Sequence, residues 1–149
     1  MPLDPPAHVR DGYLLLTTAT RLVQRRLDDA LAPLGMTRAA VIALKAASPR
    51  PMNQEQLAAV VHVQSQTLGR VLTRLEAGGL VTRKRDPHDR RQFQVAITEA
   101  GEATLRAARQ AESAAISGDF DGWEILREQL SHFVNCFQRP QQARGSTRS

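Results

Sequence analysis

A mainly helical fold with one small β-hairpin is what this 149-residue chain predicts, and three observations carry it. Apolar residues recur in steps of three and four over most of the length, the mark of amphipathic helices. Between Phe93 and Ile97 the period drops to two. Two helical stretches meet around His62 and Val63, and the second runs into a glycine pair and then the alternating segment. Two helices across a short turn, followed by a hairpin, read as a winged helix-turn-helix. Longer helices precede and follow it.

In chain order, Val9, Tyr13, Leu16, Thr20, Val23, Leu27, Leu31 and Leu34 mark a long first helix. Leu14, Leu15 and Leu22 lie off that stripe, so its first half is apolar on more than one face and should meet something besides its own core. Pro33 and Gly35 end it. Thr37 is the expected N-cap of a helix reaching Ala47, with Val41 and Leu44 inward. Ser48 to Pro51 is a loop, and Asn53 with Gln56 forms a capping box for the next helix, whose inner face is Leu57, Ala58 and Val61. The following helix starts at Gln64 or Ser65. It turns Leu68, Val71, Leu72 and Leu75 inward and leaves Gln64, Ser65, Gln66, Thr67, Arg70, Thr73 and Arg74 outside. Gly78 and Gly79 stop it. Leu80 to Arg85 pairs with the strand bearing Phe93, Val95 and Ile97 on one buried face, around a tip at Asp86 to Arg91. Thr98 caps an alanine-rich helix with Glu99 and Glu102 in its first turn. Gly118 breaks it, and Asp121 with Glu124 restarts it. Trp123, Leu126, Leu130, Phe133, Val134 and Phe137 then form an apolar stripe large for a terminal helix. Residues 139–149 read as a disordered basic tail. The expected organisation is one domain over 1–149, with the winged helix-turn-helix at 37–98 between helices at 9–36 and 99–138.

Charge is concentrated. Residues 63–98 hold seven basic side chains against Glu76, Asp86 and Asp89, a surplus of four in a chain whose net charge is +5. A cationic surface on one short module suits a polyanion. Aromatic residues make up only 4%, which disfavours base-stacking platforms for single strands. No nucleotide loop, nucleophile elbow or zinc-helix motif is present, so no enzyme is expected. The four histidines fall at no metal-ligand spacing, and no metal or cofactor is expected. The single cysteine, Cys136, fits a reducing compartment and reads as a small buried hydrophobe rather than a redox sensor. No export signal stands at the N-terminus and no apolar run is long enough for a bilayer, so no membrane partner and a cytoplasmic location are expected.

The string from Leu57 to Gly101 resembles the MarR family of transcriptional regulators. LTRLEAGGLVTRK matches the end of that family's recognition helix and its strand entry, DPHDRR its wing tip, and AITEAG its return strand and helix start. The flanking helices match in order, so the resemblance runs from about Val9 to Phe137. It implies a homodimer on a pseudo-palindromic DNA duplex, acting as a repressor released by a small-molecule effector. It places Gln64 to Arg74 in the major groove and Arg91 in the minor groove, with Asp89 paired to that arginine. Physical argument runs the same way, since a thin wing tip fits the minor groove, where negative potential draws arginine. The alternative to that orienting role is an ordinary turn residue at Asp89. Arg74 is expected on phosphate; Arg70 can read guanine or touch phosphate. Thr73, Arg83, Lys84 and Arg90 complete the expected DNA surface. Tyr13, Leu16, Trp123, Leu126, Leu130, Phe133 and Phe137 are the expected dimer contacts. Gly69 departs from the family pattern and either admits close approach to DNA or is merely tolerated. The competing readings are a winged helix serving protein assembly, and a cysteine-sensing variant of the same regulator.

Overall fold

The computed structural model describes residues 4–62, 65–118 and 120–138, with the backbone alone at residue 65. The expected tail at 139–149 and the side chains of Val63, Gln64 and Ser65 lie outside the described residues. Two compact units result, one ending at Ile116 and one beginning at Ser117.

The first unit opens with α1 (Ala7–Leu31), which tightens into a 3-10 turn over Ala32–Leu34. Pro33 sits in that turn and Gly35 closes it at φ 66°, so the break falls where the two residues require it. In α2 (Arg38–Ala47), Thr37 Oγ1 accepts the Ala40 N–H at 3.2 Å. α3 (Gln54–Val61) begins on a complete capping box: Asn53 Oδ1 accepts from Gln56 N at 2.8 Å, and Gln56 Oε1 accepts from Asn53 N at 3.3 Å. His62 ends α3 in the left-handed region, at φ 57°. α4 (Ser65–Ala77) follows, stopped by Gly78 and by Gly79 at φ 73°.

β2 (Val81–Arg85) and β3 (Phe93–Ile97) form the expected hairpin, with Val81 opposite Ile97 and Arg85 opposite Phe93. A third strand joins them, β1 (Met52–Asn53), antiparallel to β3 and giving the order β1-β3-β2. Two residues are too few to carry a period, so only pairing reveals β1. α5 (Glu99–Ile116) starts on Thr98, whose Oγ1 accepts from Gly101 N at 3.0 Å and donates to Gly79 O at 2.6 Å. One hydroxyl thus caps α5 and ties it to the turn that ends α4.

Leu31, Leu44, Leu57, Leu68, Leu72, Val95 and Leu105 are fully buried and form one core drawn from α1 to α5 and the sheet. α1 contributes little to it. Leu31 alone is buried, while Val9, Tyr13, Leu14, Leu15 and Leu22 stand exposed. The N-terminal part of the stripe is therefore uncovered within the first unit.

The second unit is α6 (Trp123–Gln138), which starts after Gly122, whose carbonyl accepts the Leu126 N–H at 3.0 Å. Gly122 rather than Asp121 holds the capping position, which corrects the expected restart. Phe120 meets Trp123 edge-on at 5.3 Å between centroids, and Phe133 stacks on Phe137 at 4.6 Å. None of its side chains is buried. Cys136, expected to be a small buried hydrophobe, is exposed on this helix. Among the described residues no single helix is long and apolar enough to cross a membrane.

Candidate nucleic-acid interface

α4 exposes Gln66, Thr67, Arg70, Thr73 and Arg74 on the side away from Leu68, Leu72 and Leu75. The 3.6-residue period puts the apolar positions against α2 and α3 and the polar ones outward. Gly69 is half-buried, and a Cβ there would meet Gln54 Nε2 of α3 at 3.4 Å. Gly69 thus faces the neighbouring helix.

The wing tip is a doubly closed turn. Asp86 N–H donates to Gln92 O at 2.9 Å, and Gln92 N–H donates to Asp89 O at 3.0 Å. Asp86 Oδ1 accepts from His88 N at 2.8 Å, and Asp89 Oδ1 accepts from Arg91 N at 3.1 Å. Asp89 therefore grips the Arg91 backbone; no ion pair joins its carboxylate to the guanidinium among the described residues. The expected side-chain pairing is corrected to a short-range turn bond, which fixes Arg91 through its amide.

The wing's cations divide into two groups. Arg83, expected on the DNA surface, is turned to its own chain: its side chain is 19% exposed and Nη2 lies 3.2 Å from Glu76 Oε1. The same nitrogen donates to Thr73 Oγ1 at 3.3 Å, and Thr73 donates in turn to Gly69 O at 2.8 Å. Thr73, also expected to face DNA, has its hydroxyl engaged on both sides. Arg85 donates through Nη1 to Arg90 O at 2.6 Å. Phe93, expected inward, is 36% exposed and lies beneath both arginines, 5.7 Å from the Arg83 guanidinium carbon and 5.0 Å from that of Arg85. The outer end of a hairpin has no core beneath it, so the ring takes cation–π partners instead. Lys84, Arg90 and Arg91 of the wing, with Arg70 and Arg74 of α4, are exposed and have no carboxylate within ion-pair distance among the described residues.

Sequence reasoning missed Glu76, Glu55 and the role of Phe93. Glu55 Oε2 accepts from Gln92 Nε2 at 3.1 Å and moors the wing to the first turn of α3. A signal for Glu76 existed: opposite charges at Glu76 and Arg83 flank the Gly78–Gly79 turn that folds one back on the other.

A capped two-helix unit, an outward polar helix face and a cationic hairpin beside it define a winged helix-turn-helix. Residues 46–93 match the sequence model of the MarR family. The whole fold is similar to a MarR-family transcriptional regulator from Rhodococcus sp. RHA1, with 25% identity over 92% of this chain and 99% of that one, at TM-score 0.75. CouR from Rhodococcus jostii RHA1, in a crystal structure bound to p-coumaroyl-CoA, is also 25% identical, covering 94% and 100% at TM-score 0.72. A probable transcriptional regulator from Pseudomonas aeruginosa is 28% identical, covering 79% and 96% at TM-score 0.67.

Proposed function

We propose that the chain is a homodimeric, sequence-specific transcriptional regulator of duplex DNA, acting as a cytoplasmic repressor released by a small-molecule effector. One observation carries the DNA reading: Arg70, Arg74, Lys84, Arg90 and Arg91 lie exposed on adjoining elements, with no acid paired to them among the described residues. On this reading Gln66, Thr67 and Arg70 enter the major groove, together with Gln64 and Ser65, whose side chains lie outside the described residues. Arg74, Lys84 and Arg90 meet phosphate, and Arg91 reaches the minor groove. The similarity to named transcriptional regulators supports the regulatory role.

The homodimer rests on the uncovered apolar faces of α1 and α6, carrying Tyr13 and Leu16 on one and Trp123, Leu126, Leu130, Phe133 and Phe137 on the other. Two subunits would place their recognition helices on half-sites one helical turn apart, roughly 34–36 Å. The effector is proposed from the likeness to CouR, whose structure holds an acyl-CoA thioester.

A gel-shift titration against the chain's own upstream DNA, at about 0.15 M salt, tests the reading. A discrete complex that survives excess nonspecific duplex is expected. Only smeared, competitor-sensitive binding would favour a winged helix used for protein assembly.

A further inference from the structure

We propose that Glu76 and Arg83 form a clip that sets the wing against the recognition helix, making both positioning residues for DNA recognition although neither touches DNA. The proposal rests on the DNA-binding reading above. The clip begins in the last turn of α4. Glu76 Oε2 accepts the Arg83 backbone N–H at 3.2 Å, and Oε1 accepts from Arg83 Nη2 at 3.2 Å. One carboxylate thereby holds both the backbone and the side chain of the middle residue of β2. The guanidinium also binds Thr73, one turn earlier, so it spans two turns of α4.

From there contacts continue to the tip. Arg83 and Arg85 project from the same face of β2 over Phe93, and Arg85 donates to the Arg90 carbonyl. The unbroken path is Glu76, Arg83, Phe93, Arg85, Arg90, and it ends one residue before Arg91. A two-point reader needs its helix in one groove and its wing tip in the next at a fixed separation, and a loosely held site loses its affinity. β3 is braced by β1 and by Glu55, whereas the clip ties the middle of β2 to α4 through side-chain hydrogen bonds.

Stability alone gives the pair modest reason to be there: Arg83 is 19% exposed but Glu76 is 42% exposed, and pairs open to solvent contribute little. Its charge beside a phosphate-binding face should oppose DNA binding. The two roles therefore predict opposite signs for the neutral substitution: screening alone makes Glu76→Gln bind DNA more tightly, whereas the clip makes it bind more weakly.

The test is fluorescence anisotropy of the full-length chain with a labelled upstream duplex, across a salt series. Glu76→Gln and Arg83→Gln should each weaken binding about tenfold, and the double variant little further, because both remove one coupled contact. The slope of log affinity against log salt should hold for both, whereas Arg74→Gln should flatten it by about 0.9 per subunit. Tighter binding by Glu76→Gln, or a flattened slope for Arg83→Gln, overturns the clip. A wild-type chain that forms no discrete complex overturns the DNA reading instead. A readout without DNA completes the test: amide hydrogen exchange at Lys84 to Gln92 should quicken in both single variants while core amides hold. Unchanged wing exchange overturns the clip whatever the DNA result.

Discussion

Gly101, at the start of α5, lies against the carbonyl oxygen of Leu80, and a Cβ at position 101 would run into that oxygen and into Ile97 Cγ1 at 2.7 Å. The same carbonyl accepts the Thr98 N–H at 3.0 Å, so the strand entry and the helix start are fastened at one point. Backbone cannot step aside as a flexible side chain can. Gly101→Ala should destabilise the chain by about 2–3 kcal/mol, in the range for overpacking a dense interior. Thermal unfolding measures it; a midpoint within a degree of wild type would show that α5 shifts without cost.

Gly69 presents the opposite case. Its Cβ would meet only the amide end of Gln54, at 3.4 Å, which is ordinary contact with a group that can move. Glycine inside a helix costs about 1 kcal/mol against alanine. Gly69→Ala should therefore raise the unfolding midpoint by about 3 °C. DNA affinity should stay within about twofold, because the position faces α3 and not the groove. A stabler protein that bound its operator much more weakly would return Gly69 to the DNA surface.

Arg91 is the wing cation whose backbone amide is held by Asp89 while its side chain stands exposed. Arg91→Ala should cost about 1–3 kcal/mol of operator binding, with the unfolding midpoint unmoved. Asp89→Ala should also weaken binding although it removes a negative charge, because it frees the turn that aims Arg91. If the Asp89 variant bound more tightly, the turn bond would have no part in aiming the arginine.

Where local chemistry sets structure, the sequence was a good guide. Pro33 with Gly35, the Thr37 cap, the Asn53–Gln56 box and the Thr98 cap depend on neighbours a few residues away, and each stands where the residues imply. Periodicity placed Val95 in the core but misled at Phe93, because alternation says which side a residue faces and not whether anything covers that side. Arg83 shows the same limit in charge. A count of cations found the basic module, yet could not tell an arginine held by Glu76 from one left free for phosphate. That distinction depends on how far the Gly78–Gly79 turn folds the strand back onto α4, a fact of tertiary geometry. Gly101 was visible within AITEAG, but its contact with Leu80 joins elements that only the fold brings together.

The apolar residues of α6 bear on assembly. Phe133 is 43% exposed and Phe137 76%, stacked on one another with Trp123 and Leu130 also exposed on the helix. Soluble monomers rarely keep such a row in water, and rows of this kind mark interaction surfaces. If two copies cover it, Phe133 is buried twice in one symmetric contact. Full burial of a phenylalanine contributes about 1.5–3 kcal/mol and less than half of Phe133 is left to cover, so over two copies Phe133→Glu should weaken the dimer by about tenfold or more. Sedimentation velocity at micromolar concentration should show a dimer for wild type and a monomer for the variant, with helix content by circular dichroism preserved. The operator complex should fade with the dimer, since one subunit grips only one half-site. A wild-type monomer, or a Phe133→Glu chain that still sediments as a dimer, would remove α6 from the interface and leave the exposed face of α1 to account for any association.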